Sequence, residues 1–152
     1  MTSDPDQPHG ESDPGWLDLD QIATLEVTSD DPSFPIESAF SLNGGDGWRA
    51  SQKGEQQIRI IFDGPMSLHR IQLLFRETEC ERMQEFTLRW SAAGGPTKEI
   101  VRQQWNFSPA GSTTEVEEYM IDLNAVSVLE LAIQPDLGRH EAVASLAACR
   151  LG

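Results

Sequence analysis

Gln56-Gln57-Ile58-Arg59-Ile60-Ile61-Phe62 and, after a short break, Leu68-His69-Arg70-Ile71-Gln72-Leu73-Leu74-Phe75 are the stretches that decide the fold. In the first, Ile58, Ile60 and Phe62 alternate with Arg59 and Ile61; in the second, Ile71, Leu73 and Phe75 share a face opposite Arg70 and Gln72. A period of two is that of a strand, whose side chains leave on alternate faces, and not the 3.6 of a helix. Asp63-Gly64-Pro65 between the runs has the residues of a turn, so two successive strands are predicted here.

The same signature extends in both directions. Ala23, Leu25 and Val27 alternate with Ile22, Thr24 and Glu26, and Phe86, Leu88 and Trp90 alternate with Thr87 and Arg89. Further short apolar runs start at Glu99, Glu115, Val126 and Val143, and most are bounded by Gly, Pro, Asn, Asp or Ser. No long segment carries a helical stripe; Ala142–Leu151 is readable as a helix on alanine content alone. About eight strands with one apolar face each require two sheets closed over a shared core, which predicts an all-β antiparallel β-sandwich.

The chain of 152 residues has the size of one domain. Its 25 acidic against 11 basic residues give a formal charge of −14, which repels phosphate backbones and anionic lipid, so neither nucleic acid nor membrane is an expected partner. Two cysteines, Cys80 and Cys149, are too few for a disulfide framework or a four-cysteine zinc site. With no cationic, apolar leader in the first residues, a cytoplasmic location is expected. Residues 1–17 are acidic, proline-containing and poor in apolar side chains, and are expected to form a mobile tail ahead of a single domain over 18–152. Ser29–Lys53 shows little alternation and is expected to be a long functional loop or an ordered cover over one end of the sandwich.

Within that loop, Ala39-Phe40-Ser41-Leu42-Asn43-Gly44-Gly45-Asp46-Gly47-Trp48 resembles the A-I-D-G-D-x-x-T-x-W signature of the discoidin, or coagulation factor 5/8 type C, group of the galactose-binding-domain-like superfamily. Phe86–Ser91 with its following Ala-Ala-Gly-Gly resembles that group's strand and hairpin, and Ala144–Leu151 its closing strand. The likeness in order and spacing runs over residues 21–151 and implies a jelly-roll sandwich that binds ligands through loops at one end. It also raises a structural calcium ion, for which Asn43 and Asp46 are the matching positions; Ser41 and Ala148 stand where the group has an aspartate and a glutamate. Trp48–Glu55 is similar, over a shorter stretch, to the amino-terminal domain of the animal single-strand-break repair scaffold, a sandwich that grips protein partners.

The ligand positions implied by the resemblance are Trp48, Arg49, Arg76, Glu77 and Arg82. An aromatic plate for the C–H face of a sugar, with arginine and carboxylate for its hydroxyls, is the chemistry such a site needs. Each has a plainer alternative: Trp48 plugging the end of the barrel, and Arg76–Arg82 forming a self-paired solvated loop. Trp105 beside Asn106 is either a sugar platform or, with Phe107, part of the core. Glu77, Glu79 and Glu81 alternate, so they either collect a cation or form a solvated charge run; flanked by Glu79 and Glu81, the Cys80 thiol is expected to have a raised pKa. His9, His69 and His140 lack metal-ligand spacing, no nucleophile elbow occurs, and Gly44-Gly45-Asp46-Gly47 has no lysine to make a phosphate cradle. The expected function is a non-catalytic module that binds carbohydrate, with a cytosolic protein–protein adaptor of the same fold as the alternative.

Overall fold

In a computed structural model, residues 15–138 and 141–152 are described. They form eight strands: β1 (Ala23–Val27), β2 (Trp48–Lys53), β3 (Gln56–Arg76), β4 (Arg82–Ser91), β5 (Lys98–Phe107), β6 (Thr114–Gln134), β7 (Val143–Leu146) and β8 (Ala148–Leu151). Two single-turn helices, α1 (Leu19–Ile22) and α2 (Glu37–Phe40), complete the elements. With 61% strand and 6% helix, and every ladder antiparallel, the fold is the all-β sandwich that the alternation predicts.

Two strands of 21 residues each, β3 and β6, build both layers. The first half of β3 pairs β1 (Leu25↔Ile60) and the second half of β6 (Ile58↔Leu131), and β4 and β5 continue that sheet. The second half of β3 pairs β8 (Leu73↔Cys149) and the first half of β6 (Ile71↔Tyr119). The crossing point is Asp63-Gly64-Pro65. Its residues do not make the expected turn between two strands; one strand bends through them, with register shifts between Ile61 and Arg70. A bulge adds an unpaired residue and twists the strand, and it tolerates Pro65, which has no N–H for the ladder. The shift also explains the burial parity. Even-numbered Ile58, Ile60 and Phe62 face the core before the bend, and odd-numbered Ile71, Leu73 and Phe75 after it. On β6, Ala125 takes φ +58 opposite the same bend, so the runs starting at Glu115 and Val126 are two halves of one strand.

The layers close on a largely apolar core in which Phe75 of one half-strand stacks on Phe86 of β4, ring centroids 5.3 Å apart and 27° between planes. Such a pair contributes about 0.5–1.5 kcal/mol beyond its buried area. Ala142–Leu151 is not helical: β7 pairs β2 and β8 pairs β3, because Ala144, Leu146, Cys149 and Leu151 supply the buried face. Cys80 is an exposed free thiol and Cys149 a buried one.

Ser29–Lys53, expected as a functional loop or an ordered cover, is largely ordered. Its second part is β2, paired with β7 (Trp48↔Leu146), and α2 buries Ala39 and Phe40. The N–H of Asp31 donates to Arg49 O at 2.8 Å and that of Arg49 to Phe34 O at 3.1 Å, folding the segment back along β2. Gly47 has φ +85, and a Cβ there would lie 2.8 Å from Leu146 O and 2.9 Å from Ala147 Cα, so glycine is what lets Trp48 enter beside β7. At the amino end, residues 1–14 of the expected tail lie outside the described residues. Its last residues dock on the sandwich: Leu17 N–H donates to Leu151 O at 2.7 Å, and the Arg70 guanidinium lies 3.7 Å from the Trp16 ring centroid. Among the described residues, no helix is long and apolar enough to cross a membrane.

Candidate functional site

Four chain segments, one of them represented by Phe34 alone, meet at one end of the sandwich around a cleft of about 210 Å³. The start of β2 brings Trp48 and Arg49, the end of β3 and the loop after it bring Arg76, Glu77 and Glu79, and the β7–β8 corner brings Ser145–Ala147. Four of the five expected ligand positions therefore line one cleft. Arg76 follows the buried Phe75, so strand alternation turns its side chain outward. Arg49 alternates in the same way with the buried Trp48 and Ala50, and its guanidinium sits 5.5 Å from the Phe34 ring centroid.

Trp48 and Arg82 differ from the expectation. Trp48 is 1% exposed, and its indole N–H donates to Ser29 O at 3.0 Å, so it is the cleft floor and offers no open aromatic plate. Arg82 is 2% exposed and does not line the cleft. Its Nε donates to Glu77 Oε1 at 2.8 Å, its Nη1 to Gln84 Oε1 at 3.0 Å and Pro135 O at 2.9 Å, and its guanidinium lies 4.8 Å from the Phe107 ring centroid. Arg82 thus holds Glu77 from beneath. Glu77 Oε2 accepts from the N–H groups of Glu79 and Cys80 at 3.1 and 3.4 Å. Burial alone would raise the Glu77 pKa, but the Arg82 hydrogen bond and these backbone donors outweigh it, so the carboxyl lies below its usual range.

From Arg82 a hydrogen-bonded chain continues inward. Gln84 Nε2 donates to Glu115 Oε1 at 3.3 Å, linking β4 to the opposite layer. Glu115 is fully buried beside Glu117 on the same face of β6. Burial, then the hydrogen bond and charge of Glu117, push the Glu115 pKa up to about 9, so it holds its proton at neutral pH. The Tyr119 phenol is pushed up too, first by burial and then by Glu117 and Glu115. Because the folded pKa of Glu115 stands above that of the unfolded chain, the folded state binds more protons in between. Stability therefore falls as pH rises from about 4.5 toward about 9. Glu115→Gln keeps the shape and removes the titration. Urea melts at pH 8 are expected to show the variant on the order of 1–3 kcal/mol more stable than the parent, with the two converging near pH 4.5. An unchanged pH profile would show that Glu115 is not the titrating group.

The other sequence candidates fall elsewhere. Glu77 turns inward to Arg82 while Glu79 and Glu81 are exposed, and among the described residues no group of three or more His, Cys, Asp or Glu could hold a metal ion. Nor do the calcium positions fit that ion, which takes six to eight oxygens including several carboxylates. Asn43 and Asp46 are both exposed, Asp46 is the only carboxylate of the Ala39–Trp48 loop and lines the cleft, and Ala148 has no side-chain oxygen to give. Cys80 does have a raised thiol pKa, but through loss of solvation first and Glu77 second, not through its sequence neighbours. Phe107 is fully buried, and Trp105 is half-buried against the core, not a platform. Phe34, the β7–β8 corner and the Gln84–Glu115 link were not expected. Only Glu115 had a readable signal, an acid at the core-facing parity of its run.

No protein-family model matches the sequence, and no curated protein does. Solved structures do match. A family 32 carbohydrate-binding module of NanJ from Clostridium perfringens, in complex with galactose, superposes with a TM-score of 0.63 at 15% identity over 90% of this chain and 97% of that one. A Clostridium perfringens CBM32 domain in complex with GalNAc-β-1,3-galactose gives 0.63 at 15% identity, over 90% and 98%. A GH29 fucosidase of Ruminococcus gnavus gives 0.67 at 9% identity, over 89% of this chain but only 26% of the enzyme. At these identities the likeness shows the fold. The chain shares the antiparallel β-sandwich fold of these modules.

Proposed function

We propose that this domain is a non-catalytic carbohydrate-binding module whose site is the cleft bounded by Arg49, Arg76, Glu77 and Glu79. The observation that carries the reading is the convergence of two exposed guanidinium groups and a pinned carboxylate on one small cleft with a rigid floor. Sugars are bound by such planar forks and carboxylates, which hydrogen-bond neighbouring hydroxyls in fixed directions. The volume of about 210 Å³ is smaller than the roughly 300–1,000 Å³ of clefts for drug-sized ligands, which suits one sugar ring or a chain end. The solved modules of the same fold, bound to galactose and to GalNAc-β-1,3-galactose, support the same class of ligand. Glu77, held ionised by Arg82, is suited to accept hydroxyl hydrogen bonds and not to donate the proton that glycosidic cleavage needs, in keeping with binding without turnover.

A glycan array followed by calorimetry tests the proposal. Arg76→Ala is expected to weaken saccharide binding by about 1–3 kcal/mol, the range of a lost charge-assisted hydrogen bond, and to leave the melting temperature unchanged because Arg76 is exposed. Unchanged affinity in Arg76→Ala would remove the site. Absence of any glycan binding, with capture of a protein through the outer face of β6, would favour the adaptor reading; Val116 and Met120 stand 59% and 77% exposed there.

A further inference from the structure

We infer that the cleft selects a carboxylated sugar, a uronic acid, over its neutral counterpart; this rests on the carbohydrate-binding reading above. Lys53 is paired with Glu141, Arg59 with Glu26, Arg82 with Glu77, Arg89 with Glu130, and Arg102 with Glu85 and Glu99. Among the described residues, Arg49, Arg76, Lys98 and Arg150 have no carboxylate within ion-pair distance, and of these Arg49 and Arg76 line one cleft together. Glu77, a carboxylate of the same cleft, is already engaged by Arg82 and by two backbone N–H groups.

Arg49 is further held in place over the Phe34 ring, which lowers the entropy lost when its fork is filled. A guanidinium presents parallel N–H donors at the spacing of the two oxygens of a carboxylate, so a planar anion uses it better than a single hydroxyl does. Asp46 and Glu79 also line the cleft. Carboxylates accept from hydroxyls and repel a second anion, so they define where the hydroxyl-bearing side of the ring lies. Two cationic forks and hydroxyl acceptors gathered in one cleft are the complement of a sugar with one carboxylate and neighbouring hydroxyls.

The test compares galacturonic acid, its methyl ester, galactose and galactose 6-sulfate by calorimetry on the full chain. Galacturonate is expected to bind on the order of tenfold or more tighter than the ester, with the advantage shrinking as salt rises and disappearing in Arg49→Gln and Arg76→Gln. Equal binding of acid, ester and galactose, weakened by Arg76→Gln, overturns the selectivity and leaves the carbohydrate site standing. Binding of none of them, with no other glycan bound, overturns both readings. A preference for the sulfate over galacturonate overturns the carboxylate assignment, as does an acid preference that survives both arginine substitutions.

Discussion

Arg82→Met is expected to destabilise the domain by about 3–5 kcal/mol, the cost of removing one partner of a buried ion pair. The methylene stem is replaced well by methionine, so packing over Phe107 is largely kept. What is lost is the counter-charge to Glu77 and the donor to Gln84 and Pro135 O. Glu77 would remain as a partly buried carboxylate with only the Glu79 and Cys80 N–H groups, and Gln84 would lose the partner that orients it toward Glu115. The double variant Glu77→Gln with Arg82→Met removes the stranded charge and is expected to recover part of the loss, a coupling that a double-mutant cycle in urea reads directly. A cost below about 1 kcal/mol for Arg82→Met, the range of an exposed pair, would show that the residue is solvated after all.

Trp48→Ala is expected to have a comparable effect on stability, about 3–5 kcal/mol for an aromatic truncated in a core. The side chain is among the largest fully buried ones, and its N–H is satisfied by Ser29 O, which would be left without that donor. The consequence for function is separate. Arg49 is the next residue, and its position over Phe34 depends on β2 lying against β7 through Trp48↔Leu146. Trp48→Phe fills most of the volume but lacks the hydrogen bond, so it is expected to fold with a smaller loss and keep most saccharide affinity. If Trp48→Phe abolished binding while staying folded, the indole would be a ligand contact and not the floor.

The class of fold was legible because alternation is a local property. Ile58, Ile60 and Phe62, then Ile71, Leu73 and Phe75, state a buried face without reference to anything distant. The bend at Asp63-Gly64-Pro65 was not, because the same three residues suit a tight turn and a bulge, and only the long partner β6 decides between them. The strand pairing that orders Ser29–Lys53 was hidden for a related reason. That segment is held by backbone pairing to distant residues, such as Trp48↔Leu146, and by Gly47 admitting the β7–β8 corner, neither of which alternation records.

At the cleft, the family resemblance brought Trp48, Arg49, Arg76 and Glu77 to one place, but residue type did not say which of them faced solvent. Arg82 looked like a surface cation because charged residues are rarely fully buried. Its position on the core-facing parity of β4, with Gln84 and Phe86, was the contrary signal. The Glu115–Glu117 pair was equally visible as a break in the apolar face of β6, and its pairing across the sandwich with Gln84 required the fold.

The central claim is that the cleft at the Trp48 end is where a sugar binds. Titrating isotopically labelled protein with galactose and with galacturonic acid, and following backbone amide resonances, tests it most directly. Binding in the cleft predicts shifts gathered on residues 46–49, 76–79 and 145–147, the segments that line it. Shifts confined to the outer face of β6 around Val116 and Met120, or a glycan that binds while the cleft amides stay still, would contradict it.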